Sequence, residues 1–374
     1  MVRYAANRVA RCSKSIWQGR AAHSKPLPLS AQQRRGKHTT VSLQLDYYMS
    51  PQFAGIACAL TEGLYETAGI QTVKFLSTCP VGLEPERVRQ FRDISEDADA
   101  VVGSVEQNVL IPALMENPHF KVKAVAAMFR ESPLCLVSLQ NDDGNEDGAV
   151  APQIVGAHED TVDLLKRILI YDNFEQDPRH TVRVSPRASK ITDLLEGRLD
   201  AIQAYTTTEV LTLERIISAA TLGAHQPGDV STLLLEGHNG ARLGYSQVLF
   251  APEEDLEGDR REVLRAFLKA TFEGWARAIR DPEHGARCVE EAQKMLKLSD
   301  EGNDHWDRKR LLEYNTENTR ACCDLVRATR AGDNDTERYG IIEPQRWDDA
   351  TRWLVNENLP PSFGLDATVW EATN

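Results

Sequence analysis

From Val41 onward, short apolar runs alternate with longer stretches in which apolar residues return every three or four positions. VSLQLDYY (41–48) reads as a strand, PQFAGIACALTEGLYETAG (51–69) as one helix ending at Gly69, and IQTVKFLST (70–78) as the next strand. LEPERVRQFRDISED (83–97) is amphipathic, with Val88, Phe91 and Ile94 on its inner face. DAVVGS (99–104) is a strand, 105–115 a helix, and FKVKAVAAMF (120–129) a further strand. Such alternation predicts a mainly parallel sheet covered by helices.

After the apolar PLCLVSLQ (133–140) and the polar NDDGNEDGAVAP (141–152) the alternation restarts. QIVGAHEDTVDLLKRILIYDNF (153–174) gives a strand, a turn and a helix; HTVRVS (180–185) is a strand, ASKITDLLEGR (188–198) a helix, and LDAIQAY (199–205) a strand. YSQVLFAP (245–252) reads as a returning strand, because it leads into a long helix, REVLRAFLKATFEGWARAIRD (261–281), closed by Asp281-Pro282. Helices dominate thereafter. The expected architecture is α/β, a two-lobe hinged binding fold with C-terminal helices. Residues 41–135 and 250–374 form lobe 1 and residues 136–249 form lobe 2, with two strands crossing between them.

Ligands of open α/β sheets sit beyond the carboxyl ends of the strands. Those ends are 47–50, 103–108, 156–160 and 205–209, each a polar or aromatic interruption of an apolar run. The candidate ligand-binding residues are therefore Tyr47, Tyr48, Ser104, Glu106, Gln107, Asn108, His158, Tyr205, Thr206 and Tyr245. A carboxylate at Glu106, where a helix begins, gains about 0.3–1 kcal/mol from the helix dipole. It can accept paired hydrogen bonds from the amino group and ring N–H of a heteroaromatic ligand, or face only water. Tyr47 and Tyr48 offer stacking surfaces, although strand alternation turns one of them into the core. Tyr205 and Tyr245 bound segments that pass between lobes. His158 is either a donor to a neutral or cationic ligand or a surface loop residue, with Asp160 or Thr161 capping the helix behind it. With no Arg or Lys expected at the strand ends, the cleft favours a neutral or weakly basic ring over sulfonate or nitrate.

Charge separates one segment from the rest. Residues 1–40 carry nine Lys and Arg, and the first acidic residue is Asp46. This Arg-rich, Ser-containing, acid-free leader has the pattern of an organelle import presequence, most simply mitochondrial, which puts the mature chain in the matrix. The remaining body holds 34 Lys and Arg against 56 Asp and Glu, near −22, and has no obvious affinity for nucleic acid or an anionic membrane surface. No apolar run approaches the roughly 18–20 residues of a membrane-spanning helix.

The seven cysteines show no C-x-x-C and no metal-finger spacing. Cys58 and Cys135 read as small buried hydrophobes, and Cys322-Cys323 as helix sequence. No metal ligand set, Walker loop, dinucleotide fingerprint or hydrolase motif is present, and no cofactor is expected.

Four phrases resemble a family. LDYYMSPQFAGIACALTEGLYETAGI, LLEGRLDAIQAY, VLRAFLKATFEGWARAIRDPEHG and YGIIEPQRWDDATRWLVNENLP, in this order, are similar to the type II periplasmic-binding-protein-like group that holds thiamine-pyrimidine synthase and nitrate-, sulfonate- and pyrimidine-binding proteins. The resemblance spans 41–359. It implies the two-lobe fold, a monomer or homodimer, and binding of a small heteroaromatic ligand related to the thiamine pyrimidine. The resemblance to the fungal synthase would also imply a pyridoxal-phosphate lysine and a histidine in the turn at 103–107, and a cysteine cluster near 240–250. This chain has none of these, and Phe53 stands where the family's histidine follows the first strand. Binding without catalysis is thus the expectation; a divergent enzyme of thiamine-pyrimidine synthesis and a non-binding scaffold subunit are the alternatives.

Overall fold

The structure, a computed structural model, describes residues 38–95, 97–139, 154–159, 161–169, 181–219, 230–297, 308–327, 339–357 and 359–370. Nearly all of the expected presequence, the polar loop at 141–152, Asp160 and Cys12 lie outside the described residues.

The first sheet contains β1 (Thr40–Gln44), β2 (Thr72–Phe75), β3 (Ala100–Val105), β4 (Val122–Phe129) and β10 (Ser246–Pro252), in the order β2-β1-β3-β10-β4. The second contains β5 (Leu134–Leu139), β6 (Ile154–Ala157), β7 (Thr181–Val184), β8 (Ala201–Tyr205) and β9 (Val230–Leu234), in the order β7-β6-β8-β5-β9. β1 pairs parallel with β2 and β3, and β6 with β7 and β8. β10 runs antiparallel between β3 and β4, and β5 antiparallel between β8 and β9. These reversed strands stand where the chain changes sheet, between Phe129 and Leu134 and between Leu234 and Ser246. The boundaries expected at 135/136 and 249/250 fall inside β5 and β10. β9 is absent from the expected elements: it is a short edge strand whose Leu233 and Leu234 are exposed, so no buried face marks it.

The helix expected over 51–69 is broken. After a single turn at Pro51–Phe53, α1 (Ala54–Thr61) stops and α2 (Leu64–Thr67) starts anew, because Gly63 adopts φ 67°, a left-handed conformation that interrupts the hydrogen-bond ladder. α3 (Glu84–Ile94) buries Val88, but Ile94, expected on its inner face, is 82 % exposed as the helix ends there. α4 (Gln107–Glu116) follows β3, α5 (Val162–Leu169) follows β6, α6 (Lys190–Leu195) follows β7 and α7 (Glu209–Ala219) follows β8.

α8 (Gly258–Arg280), α9 (Pro282–Met295), α10 (Arg308–Arg327) and α11 (Pro344–Val355) complete the molecule. Residues of α1, α8, α9 and α10 form one core against the first sheet, and residues of α3, α4 and α11 form a second. α1 and α8 cross so closely that a Cβ at Gly274 would strike the Gly55 carbonyl, and one at Gly55 the ring of buried Trp275. α10 and α11 also reach the second sheet's helices: Arg215 of α7 pairs with Glu317 of α10 at 2.7 Å, and Arg167 of α5 donates to the Leu354 carbonyl of α11 at 2.8 Å. Among the described residues, no helix is long and apolar enough to cross a membrane.

Candidate ligand-binding cleft

Beyond Gln44 the pairing of β1 ends and the chain turns through Leu45, Asp46, Tyr47 and Tyr48. Leu45 enters the core, while Tyr47 and Tyr48 remain 40 % and 46 % exposed, with ring centroids 4.2 Å apart and planes tilted by 41°. The expectation that one tyrosine is buried fails because alternation holds only where a strand is paired. Tyr48 is nonetheless hemmed in. Its phenol is held above its ordinary pKa, first by loss of water and then by Tyr47, Tyr314 of α10 and Glu209 of α7, as befits a group inside a cleft.

Asp46 accepts from Gln247 Nε2 at 3.0 Å, and the Ser104 hydroxyl lies 3.2 Å from Asp46 Oδ1 and 2.9 Å from Gln247 Oε1, one proton between two acceptors. Loss of water raises the Asp46 carboxyl to about 6 against the pull of Gln247, its own backbone, Ser104 and Arg187. Gln247 reaches both partners from a left-handed backbone, φ 54°, in the second residue of β10. A non-glycine residue held there costs about 1–3 kcal/mol and marks a position fixed by its surroundings. Glu106 is the N-cap residue of α4, but its side chain makes no cap; it is buried and accepts from the Ser246 hydroxyl at 3.1 Å.

Two expected site residues are instead engaged in packing. Gln107 is fully buried; its Nε2 donates to the Trp347 carbonyl at 3.0 Å and the Thr351 hydroxyl at 3.2 Å, and its Oε1 accepts from the Tyr245 N–H at 3.1 Å. The Tyr245 hydroxyl accepts from the Glu343 N–H at 2.9 Å, and its ring contacts Trp347 and the Arg346 guanidinium. Both face α11, a long-range partner that local sequence does not reveal.

On the second sheet His158 follows β6 and is 4 % exposed. After β7 the chain passes Ser185, Pro186 and Arg187 to Lys190, the first residue of α6. Lys190 is 1 % exposed, and its ammonium contacts Glu209 Oε1 at 2.6 Å, the Gln203 carbonyl at 3.0 Å and His158 Nε2 at 2.8 Å. An ammonium has no lone pair, so Nε2 accepts and the neutral imidazole carries its proton on Nδ1. Burial, then Lys190 and Arg187, hold the His158 pKa down to about 3. Burial lowers Lys190 and raises Glu209; Lys190, Thr208 and the Tyr205 N–H more than reverse the latter, keeping Glu209 an anion. Tyr205 and Thr206 are half-buried, with the Tyr205 N–H on Glu209 and the Thr206 N–H on the Pro133 carbonyl, each at 3.0 Å.

The two sheets meet electrostatically. Arg187, from the second, acts on Asp46 of the first, and Tyr48 of the first lies within the influence of Glu209 of the second. The expectation that no Arg or Lys stands at a strand end is therefore overturned by Arg187 and Lys190. Asp46, Arg187, Lys190, Glu209 and Gln247 are all missing from the expected site. The signal for the two cations is present in the phrase SPRASK, a polar break between a strand and a helix like those at 103–108 and 205–209.

Among the described residues, several buried side-chain polar atoms without a partner lie at or beside these strand ends, while others, such as Trp275 Nε1 and Thr319 Oγ1, lie elsewhere in the fold. The former include Gln44 Oε1, Asn108 Oδ1, His158 Nδ1, Ser185 Oγ and Gln203 Nε2. Each such group costs about 1–3 kcal/mol if nothing meets it.

Residues 50–285 match the family described as NMT1/THI5 like. The chain belongs to the NMT1/THI5-like family. Comparison with curated proteins finds no match. Among solved structures, this NMT1/THI5-like chain is similar to the ligand-binding component of an ABC-type import system from Staphylococcus aureus, solved with zinc bound: 12% identity over 91% of this chain and 99% of that one, TM-score 0.54. It is also similar to a protein from Bordetella bronchiseptica RB50, at 13% identity over 89% and 94% of the two chains with TM-score 0.51, and to the periplasmic nitrate-binding protein NrtA from Synechocystis PCC 6803, at 13% identity over 85% and 82% with TM-score 0.50. The shared feature is the type II periplasmic-binding-protein-like fold.

Pyridoxal phosphate, implied by the resemblance to the synthase, does not fit this NMT1/THI5-like chain as a Schiff base. The turn at 103–107 offers no amine, and all three protons of Lys190 have acceptors. The described Cys and His residues that approach one another closely enough to share a metal, Cys58, His284 and Cys288, lie between α1 and α9.

Proposed function

We propose that the cleft between the two sheets binds a small, flat heteroaromatic compound related to the thiamine pyrimidine. The observation that carries this reading is the set of buried polar atoms at or beside the strand ends of both sheets that have no partner among the described residues, above all Nδ1 of His158. A ligand bridging the sheets would meet such atoms and recover their desolvation cost. Tyr47 and Tyr48 favour a flat ring, Asp46 and Glu106 an amino-substituted one, and His158 supplies a donor to a ring nitrogen. Tyr205, Thr206, Ser104 and Asn108 line the same strand ends. Ligand contact from both sides would draw the sheets together by hinge closure.

The test is thermal unfolding of the chain against aminopyrimidines and their phosphates, pyridoxal phosphate, sulfonates and nitrate. A ligand at a hundredfold excess over its Kd adds about 2.7 kcal/mol, a shift of several degrees for a chain this size. Stabilisation by aminopyrimidines that is lost in Asp46→Ala supports the proposal. Stabilisation by nitrate or sulfonate alone overturns the ligand class, and silence throughout favours a scaffold subunit.

We also propose that residues 1–40 direct the chain to the mitochondrial matrix; a fluorescent fusion of this segment that stays cytosolic would dismiss that role.

A further inference from the structure

Away from the strand ends, α1 and α9 pack side by side and each presents a pair of polar groups one turn apart. Cys58 and Glu62 stand on α1 and its C-cap, and His284 and Cys288 on α9. The ligand atoms of Cys58, His284 and Cys288 all lie within 4.8 Å of one another. Cys288 Sγ is 3.6 Å from His284 Nε2, which is itself 2.5 Å from Glu62 Oε1.

We propose that these residues form a zinc site, with Cys58, Cys288 and His284 as ligands and Glu62 Oε1 as the fourth. A tetrahedral zinc holds sulfur at about 2.3 Å and nitrogen at about 2.0–2.1 Å, which sets the sulfur–nitrogen edge near ~3.6 Å. That edge is already in place between Cys288 and His284. The oxygen–nitrogen edge of the same tetrahedron is about 3.3 Å, so Glu62 must move off the imidazole by a little under about 1 Å. Arg277 Nη1 binds the other carboxylate oxygen at 2.5 Å, leaving Oε1 for the metal, an outer-shell contact of the kind that orients ligands. Two thiolates and an imidazole select zinc over magnesium or calcium, which take oxygen ligands. Both cysteines are buried, while Glu62 and His284 are 21 % and 42 % exposed in their side chains, so an ion can enter from that side.

The ion would clamp α1 to α9. Gln293 of α9 donates to the Met49 carbonyl at 2.8 Å, so the clamp also steadies the loop that carries Asp46, Tyr47 and Tyr48.

The full chain, reduced and stripped with chelator, should bind one zinc in competition with a chromophoric chelator. With cobalt it should show thiolate charge-transfer absorption and the intense visible bands of a tetrahedral ion. His284→Ala, at a half-exposed position that tolerates change, and Cys288→Ser should weaken zinc by more than the roughly 10–100-fold typical of an outer-shell change, and Glu62→Gln by about that range. Cys323→Ser should bind as the parent does. Circular dichroism melts identify any variant that does not fold, and His284→Ala then decides. No cobalt spectrum from the reduced parent, or equal affinity in the parent and His284→Ala, overturns the site; so does a Cys58–Cys288 disulfide that takes up no metal after reduction.

Discussion

Lys190 Nζ lies 2.8 Å from His158 Nε2, and the proton between them belongs to the lysine. The imidazole is thereby fixed as the neutral Nδ1–H tautomer, buried and held down to about 3. A folded pKa below the unfolded value of about 6.5 means that the stability contribution is present above about pH 6.5 and lost as pH falls toward about 3. His158→Gln cannot titrate, so its melting temperature should fall less than that of the parent between about pH 7 and pH 4. Parallel profiles would show that His158 titrates in the fold as it does in the unfolded chain.

Asp46 should act in the opposite sense. Its folded pKa of about 6 exceeds the ordinary carboxyl value, so the folded state holds the proton more tightly than the unfolded chain. Its contribution is full below about pH 4 and is lost as pH rises through about 6. Asp46→Asn removes that loss. Relative to the parent, this variant should gain melting temperature from about pH 4 to 6 and then level off. Because the His158 and Asp46 windows overlap, only the single variants separate them; a constant offset across this range would show that Asp46 is solvated.

Much of this fold can be read in the chain. The strand–helix alternation from Val41, the restart after residue 153 and the return at Ser246 all follow from apolar spacing, and each appears at its expected place. Strand ends are also legible as polar breaks, and Glu106 and His158 lie at two of them. What local sequence cannot supply is the partner across space. Gln107 reads as a cleft amide, yet α11, 240 residues away by its Trp347 contact, takes up its hydrogen bonds. Tyr245 misleads for the same reason. Cys58 reads as a small core residue because Cys288 and His284 reach it only through helix packing. Lys190 is signalled by the polar break SPRASK, but its partners Glu209 and Gln203 are not, because they reach it only through the fold.

The crossing of α1 and α8 offers a test of packing that leaves the cleft alone. Gly274 has no room for a methyl group against the Gly55 carbonyl, a backbone atom that cannot rotate away. Gly274→Ala should cost about 1–3 kcal/mol, as overpacked cores do, and lower the melting temperature by several degrees. The helix propensity of alanine returns only about 0.8–1 kcal/mol. A variant as stable as the parent would mean that the two helices separate readily.

Binding and packing roles can be separated by comparing Gln107 with the tyrosine pair. Tyr47 and Tyr48 are exposed and contribute little to the core, so alanine at either should change stability within about 0.5 kcal/mol. If their rings cover a ligand, each change should still weaken an aminopyrimidine about 2–10-fold, the equivalent of about 0.5–1.5 kcal/mol of aromatic stacking. Gln107→Ala should behave in the reverse way. It strands the buried Tyr245 N–H, at about 1–3 kcal/mol, while the folded protein binds ligand as before. Denaturant melts and calorimetric titration of the three variants read the two effects independently. Normal stability with lost binding in Gln107→Ala would return Gln107 to the site, and unchanged affinity in both tyrosine variants would remove the pair from it.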